Sequence, residues 1–448
     1  MAGTDALSAS EVRRLARSRN LEHVVVLGAN GTMGYGSAAL FTQAVPKVTF
    51  LARTKEKAEQ GLAAAIKQVR SPTVADAATC GSYEADLASA LATADLVFEA
   101  LTEDVALKRD MFDQVEKFRR DDAIVATVTS GLSIDGLCEG RGESFRRHFL
   151  GLHFFNPPNV IVGTELVAGR DTDSDVVDFV EAFSRLRLGR EIVRTHDTPA
   201  FAGNRVGFKV LNECAQLAEE HGPHYVDTVV GPYTGRALTP LATVDLVGWD
   251  IHKAIVDNVY ANCEDEARAT NRLPGYMDAL IAKGVLGDKT KGGFFKRDGK
   301  VRLALDVASG SYKPVAEIAL PELAYLESVT SLHHQGRYAE AMQAFATARC
   351  PHAARARKVV AGYVAYAFQR VGEVTDSIDG IDRIMGAGFN WAPPSVLVDV
   401  LTPRTVVAMI AEAGLDVPAA LEKLAKPKRP KQLFHAPHVN IGKYFVAA

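Results

Sequence analysis

The stretch from His23 to Leu51 restricts the chain to a small set of folds. His23 to Leu27, HVVVL, is a short run of β-branched and apolar residues, which suits a parallel strand buried on both faces. Gly28-Ala-Asn-Gly-Thr-Met-Gly34 follows at once, Tyr35 to Ala44 has helical composition, and Lys47 to Leu51 is a second apolar run. A strand, a glycine turn, a helix and a strand within about thirty residues is the context in which glycines read as a dinucleotide fingerprint. Gly28 and Gly31 let the backbone approach a pyrophosphate, whose charge then rests on free N–H groups at the helix start. An Asn-Gly turn without a ligand fits the same residues, and the flanking elements favour the first reading.

The alternation continues. Thr54 to Arg70 and Asp104 to Phe118 have helical spacing, while Asp95 to Glu99 and Ala123 to Val128 are strand-like. Repeated strand and helix units imply an α/β, doubly wound, Rossmann-like sheet with ligands beyond the carboxyl ends of the strands, over residues 1–200. From about Phe201 strands nearly disappear. Asn204 to Glu220, Leu238 to Asn262 and Tyr276 to Gly284 read as helices, giving a helical domain over 201–305. After a changeover segment, Lys296 to Pro314, residues 306–425 echo it: Pro240-Leu-Ala-Thr-Val-Asp245 is matched by Pro394-Ser-Val-Leu-Val-Asp399, as in a degenerate repeat. Residues 426–448 contain KPKRPK and read as an extended, solvated tail.

Charge and cysteine usage narrow the partners. With 51 basic and 54 acidic residues the chain lacks the basic excess of a nucleic-acid binder, so small-molecule partners are expected. Its five cysteines, Cys80, Cys138, Cys214, Cys263 and Cys350, are scattered and form no CxxC pair, as suits a reducing cytoplasm. The first twenty residues lack the apolar core of a secretory signal, Asp5 and Glu11 argue against a transit peptide, and no run is long enough to span a bilayer, so no membrane association is expected. No metal is expected, because His221/His224 and His333/His334 are pairs without a third ligand at a supporting spacing. No GxSxG elbow points to a hydrolase.

The chemistry concentrates in GLHFFNPPNVIVGTE, Gly151 to Glu165. His153 ends one strand-like run, Asn156-Pro157-Pro158 closes it, and a second run carries Glu165. Oxidising a secondary alcohol needs a group that takes the hydroxyl proton as hydride leaves, and an imidazole is suited to that work. A carboxylate on its far nitrogen would fix the tautomer. A partly buried histidine satisfied by a carbonyl, with Glu165 on a solvent face, is the plainer alternative.

Several motifs in order resemble the L-3-hydroxyacyl-CoA dehydrogenase family over most of residues 22–300: the turn with Thr32-Met33-Gly34, EALTEDVALKRDMF, ATVTSGLSI, GLHFFNPP with its glutamate, DTPAFAGNR, DLVGWD and DKTKGGFF. The resemblance implies a reversible oxidoreductase that interconverts 3-hydroxyacyl-CoA and 3-oxoacyl-CoA with NAD or NADP. It makes His153 the general acid/base, Glu165 its orienting partner, Ser130 a residue near the substrate oxygen and the cofactor, and Asn204 a residue that helps hold the thioester substrate and polarises its reacting carbonyl. Gly28, Asn30, Gly31, Thr32 and Met33 would form the cofactor turn, and Glu103 and Lys108 would approach the cofactor. From the residues alone, Ser130 and Asn204 read equally as caps, and Glu103 with Lys108 as an exposed pair on a helix face. The region after residue 320 resembles the extra helical copy of larger members, which imitates a dimer partner, so the chain is expected to be a monomer or a homodimer.

Three positions depart from the family pattern. The turn reads GxxGxxG, one residue longer than GxGxxG. The acidic residue expected after the second strand is replaced by Ala52, followed by Arg53, which suits a 2′-phosphate and hence NADP, or is a surface arginine. Val128 stands where the family has asparagine. The alternatives in function are the same chemistry on another hydroxy acid or on a carrier-protein thioester, and a non-catalytic cofactor-binding assembly protein.

Overall fold

The computed structural model describes residues 7–436 and 439–445. These divide into two compact units, one running to Ala202 and including Glu373–Asp376, the other comprising Gly203–Gly372 and the chain from Ser377. The regions 201–305 and 306–425 that the sequence separates therefore fall within one unit. Asp5 and tail residues 437–438 and 446–448 lie outside the described residues.

In the first unit the elements run α1 (Ala9–Leu15), β1 (His23–Leu27), α2 (Thr32–Phe41), β2 (Lys47–Ala52), α3 (Lys55–Val69), β3 (Ala78–Ser82), α4 (Tyr83–Leu91), β4 (Leu96–Glu99), α5 (Val105–Phe118) and β5 (Ile124–Thr127). They continue with α6 (Ile134–Cys138), α7 (Glu143–Arg147), β6 (Phe149–Phe154), β7 (Gly163–Ala168), α8 (Ser174–Arg187) and β8 (Glu191–Thr195). The strands form one sheet in the order β3-β2-β1-β4-β5-β6-β7-β8, parallel except where β6 meets β7. The strand order reverses beside β1, the point at which open α/β sheets bind ligands. Every residue of β1, β4 and β5 is buried, as their unbroken apolar runs require. Val26, Phe50, Phe98 and Leu152 pack under α2 and α3, and Val25, Val97, Phe112 and Phe149 pack on the opposite face.

The helices begin where local chemistry starts them. Thr54 Oγ1 accepts from Lys57 N at the head of α3, and Asp104 Oδ1 accepts from Leu107 N at 2.8 Å at the head of α5. Residues Glu373–Asp376 join this unit through His196, whose backbone N–H donates to Val374 O at 2.9 Å.

The second unit holds α9 (Gly203–His221), α10 (Pro223–Val230), α11 (Pro240–Val247), α12 (Trp249–Asn262), α13 (Gly275–Ile281), β9 (Phe295–Asp298), β10 (Val301–Asp306) and β11 (Ser311–Pro314). Then come α14 (Ala324–His334), α15 (Tyr338–Thr347), α16 (Pro351–Gln369), α17 (Ile378–Ala387), α18 (Pro394–Leu401), α19 (Pro403–Glu412) and α20 (Ala419–Ala425). Two expectations are corrected. The stretch Leu238 to Asn262 is two helices, because Gly248 at φ 102 ends α11. The changeover Lys296 to Pro314 folds as an antiparallel sheet in the order β11-β10-β9.

The echoed sequences do the same structural work. Asp227 accepts from Leu241 N at 2.8 Å, and Asp382 accepts from Ser395 N at 2.9 Å, each fixing the start of a proline-led helix, α11 or α18. Asp245 accepts from Phe294 N and Phe295 N, and Asp399 from Leu433 N and Phe434 N. The tail therefore is not free along its length: it is pinned at Leu433 and Phe434, and Tyr444 and Phe445 are buried. Lys426, Lys428, Arg429 and Lys431 are exposed.

Candidate active site

The turn that leaves β1 is built by close approach. A Cβ on Gly28 would lie 2.4 Å from Ala100 O, and one on Gly34 would lie 2.1 Å from Gly28 O, so neither position admits a side chain. Gly28 also has φ 78, and Gly31, the residue before α2, makes no side-chain cap. The first N–H groups of α2, beginning at Thr32 and Met33, thus have no side-chain cap before them and no acidic residue in the first turn. Those are the donors a pyrophosphate needs, so the residues fit a dinucleotide. Asn30 is exposed beside them. Tyr83, which sequence reasoning missed, accepts from Gly28 N at 2.8 Å through its hydroxyl, and burial pushes that phenol up to about 12. At the end of β2, Ala52 is buried and Arg53 is exposed.

Beyond β4 and β5 a buried charge network organises the loops. Lys108 and Glu99 are both without exposed surface and meet at 2.7 Å. Glu99 Oε1 also accepts from Leu101 N at 2.6 Å, and Oε2 accepts from Thr127 Oγ1 at 2.6 Å. Glu103 lies 3.5 Å from the Lys108 ammonium and accepts from Thr129 Oγ1 at 2.5 Å and Ser130 N at 2.8 Å. The reading of Glu103 and Lys108 as an exposed helix-face pair is corrected for Lys108. It sits on the buried stripe of α5 with Phe112 and Val115, at positions i, i+4 and i+7. That spacing could have revealed it, and an acid ending the apolar run LVFE could have revealed Glu99.

His153 and Glu165 are paired directly across the antiparallel strands β6 and β7. His153 Nδ1 and Glu165 Oε2 are 2.7 Å apart, with both residues buried. An ionised carboxylate only accepts, so Nδ1–H donates and Nε2 is left with its lone pair. The other carboxylate oxygen, Oε1, accepts from Ala202 N at 2.9 Å. That N–H is delivered by a turn in which Ala200 and Phe201 have φ 63 and 52, a left-handed conformation that costs about 1 kcal/mol or more per non-glycine residue. Gly131 packs on the same turn: a Cβ there would lie 2.7 Å from Ala200 Cα. The alternative of Glu165 on a solvent face is thus overturned. Phe155 and Phe201 ring the imidazole at 4.8 and 5.9 Å between centroids.

Ser130, His153 and Glu165 all stand in the first unit, whereas Asn204 is a buried residue in the first turn of α9, in the second. Its neighbour Arg205 is held by Tyr366 Oη at 2.6 Å and Asp265 Oδ2 at 2.7 Å. Burial pushes the Asp265 carboxyl up, but the hydrogen bonds from Arg205 and Tyr366 outweigh it and hold the group below its ordinary range. Val128 is buried, with its N–H on Glu99 O. Among the described residues no group of three His, Cys, Asp or Glu side chains could hold a metal ion, and no single helix is long and apolar enough to cross a membrane.

A doubly wound sheet whose order reverses beside β1, with a glycine turn after that strand, defines a Rossmann-like dinucleotide-binding fold. Residues 23–198 match the model of the 3-hydroxyacyl-CoA dehydrogenase NAD binding domain, and residues 201–297 match that family's C-terminal domain. The chain belongs to the 3-hydroxyacyl-CoA dehydrogenase family. It is 29% identical over 439 residues to a probable 3-hydroxyacyl-CoA dehydrogenase of Bacillus subtilis, an alignment covering 91% of this chain and 54% of that protein. It is 30% identical to the mitochondrial hydroxyacyl-coenzyme A dehydrogenase of Mus musculus, over 62% of this chain and 91% of that one. In fold it is similar to the crystal structure of 3-hydroxybutyryl-CoA dehydrogenase from Escherichia coli K12, with a TM-score of 0.67 and 21% identity over 91% of this chain and 98% of that chain. The chain thus spans about half the length of the Bacillus protein.

Proposed function

We propose that the chain interconverts a 3-hydroxyacyl-CoA and a 3-oxoacyl-CoA, with His153 as general acid/base. The observation that carries this reading is the 2.7 Å pair of His153 Nδ1 and Glu165, whose second oxygen is held by Ala202 N. In oxidation the substrate hydroxyl gives its proton to His153 Nε2 while the hydrogen on the same carbon leaves with its bonding pair as hydride and the carbonyl forms. A bound nicotinamide cofactor would supply the hydride acceptor for this step, and the hydride donor for its reverse. Glu165 holds the ring in the tautomer that frees Nε2 and stabilises the imidazolium once the proton arrives. Phe155 and Phe201 shield the ring from water. The family resemblance assigns Ser130 to the substrate oxygen and Asn204 to holding the thioester substrate and polarising its reacting carbonyl.

The cofactor turn would be Gly28, Asn30, Gly31, Thr32 and Met33. Arg53 favours NADP: it is exposed just past β2, the preceding Ala52 offers no carboxylate to a ribose 2′-hydroxyl, and Lys55 and Lys57 follow, both exposed. A guanidinium there would pair with a 2′-phosphate. The five free cysteines accord with a reducing cytoplasm as the site of the activity.

The test is the loss of reduced-cofactor absorbance with acetoacetyl-CoA, run with NADH and NADPH in parallel on wild type and Arg53→Ala. The reading expects turnover, with a preference for NADPH that Arg53→Ala abolishes. Turnover of free hydroxy acids but of no acyl-CoA would move the substrate to another class. A preference for NADH that the substitution leaves unchanged would remove Arg53 from cofactor choice.

A further inference from the structure

The corner between α8 and β8 reaches back to the loop that joins the strands of His153 and Glu165. Helix α8 ends at Arg187, and Gly189, at φ 63, turns the chain so that the Arg190 N–H bonds back to Ser184 O at 3.0 Å. The Arg190 guanidinium then donates to carbonyl oxygens alone. Its Nη1 reaches Pro158 O at 2.6 Å and Ile161 O at 3.0 Å, and its Nε reaches Leu188 O at 2.8 Å. Among the described residues no carboxylate pairs with it, and burial holds the group below the ordinary arginine range. A half-buried cation with no acid beside it is costly unless its N–H groups are met, and here a single loop meets two of them.

That loop, between Phe154 and Gly163, needs donors from outside. Pro157 and Pro158 carry no N–H, and Val160 N and Ile161 N both donate to Pro157 O at 3.0 Å. Arg190 supplies the donors for Pro158 O and Ile161 O from one side. From the other side Pro158 is buried against α2, the helix that follows the glycine turn: a Cβ on Gly36 would lie 3.0 Å from Pro158 Cδ. The loop is thus clamped between the α8–β8 corner and α2. It also joins β6 to β7, where a slip of one residue would turn Glu165 away from His153.

We propose that Arg190 is a positioning residue for the reaction: by tying the carbonyls of Pro158 and Ile161 to the α8–β8 corner, it holds the β6–β7 loop against α2 and keeps His153 at a fixed place relative to the glycine turn. The inference rests on the proposed role of His153. Arg190 acts through the loop and moves no proton. Its planar guanidinium presents donors in fixed directions, whereas a lysine ammonium is a point charge on a flexible stem, so lysine restores the charge and part of the geometry.

The experiment measures kcat with acetoacetyl-CoA, and the cofactor dissociation constant without substrate, for wild type, Arg190→Lys, Arg190→Met and Arg190→Ala. Arg190→Met is expected to lower kcat about 10- to 100-fold, the scale of a small misplacement of a catalytic group, with cofactor affinity within about threefold of wild type. Arg190→Lys is expected to recover part of that loss. Methylguanidinium added to Arg190→Ala is expected to raise kcat, because it can refill the site and donate to the same carbonyls. Gly36→Ala presses on Pro158 from α2, so its effect on kcat combined with Arg190→Met should be less than the product of the two. A kcat for Arg190→Met within about twofold of wild type overturns the inference and leaves the function intact. So does a loss shared equally by kcat and cofactor affinity that neither lysine nor methylguanidinium restores, which marks a residue of stability alone. Wild type that turns over no acyl-CoA overturns the proposed function and the inference with it.

Discussion

Glu99 and Lys108 meet at 2.7 Å with neither side chain exposed, nine residues apart in sequence and on different elements, β4 and α5. Removing one partner leaves a charge stranded in the sheet domain. Lys108→Met is therefore expected to cost about 3–5 kcal/mol in chemical denaturation. The double substitution Glu99→Leu with Lys108→Met is expected to cost less than Lys108→Met alone, since no charge is then buried unpaired. A single Lys108→Met change within about 0.5 kcal/mol of wild type would show that water reaches the pair.

Gly131 is tied to the Glu165 carboxylate through the turn at Ala200. A methyl group at residue 131 would press on Ala200 backbone at 2.7 Å, and that turn delivers Ala202 N to Glu165. Gly131→Ala is expected to lower stability by about 1–3 kcal/mol and to reduce kcat more than cofactor affinity. Gly275→Ala, where a Cβ meets nothing within 4 Å, serves as the control and should leave both unchanged. Equal behaviour of the two variants would rule out the proposed coupling.

His333 gives the fold an acid-sensitive point. It is buried against Tyr338 and the tail's Phe445, with ring centroids 5.9 and 5.7 Å away, and burial, with His334 beside it, lowers its pKa to about 4. The unfolded chain, with its imidazole near the ordinary 6.5, takes the proton first. Stability from this residue is therefore full above that value and falls as pH drops toward 4. By pH 5 the loss is expected to be about 2 kcal/mol. Thermal midpoints of wild type and His333→Phe between pH 7 and pH 5 check this: the wild type should fall further. Parallel curves would place the acid sensitivity elsewhere.

The first sheet strands were legible because a parallel strand buried on both faces leaves a local mark: HVVVL in β1 and LVFE in β4 need no tertiary information. The pairing of His153 with Glu165 was legible for a similar reason, since two strand-like runs around Asn156-Pro157-Pro158 bring residues twelve apart into register. Lys108 was legible only in part: its place on the apolar stripe with Phe112 and Val115 is local, but the acid that pairs it comes from β4. The strand β3, ATCGS, is short and half exposed, so it lacks a hydrophobic signature. The addition of Glu373–Asp376 to the first unit depends on a backbone bond to His196, 178 residues upstream of Val374, by N–H to carbonyl, which no side-chain pattern records.

Glu165 should matter through the ring it holds. Glu165→Gln can turn either its oxygen or its amide toward Nδ1, so the tautomer is no longer fixed, and the charge that stabilises the imidazolium is gone. Its kcat is expected to fall about 10²- to 10⁴-fold with cofactor affinity near wild type. A proportional loss of cofactor binding would instead point to collapse of the strand pair.

The central claim is that His153 moves the proton, and the most direct measurement is turnover of acetoacetyl-CoA by His153→Ala alongside its cofactor dissociation constant. The account expects activity lower by about 10²- to 10⁴-fold, with cofactor binding within about twofold of wild type. A variant that binds cofactor and turns over like wild type would contradict it.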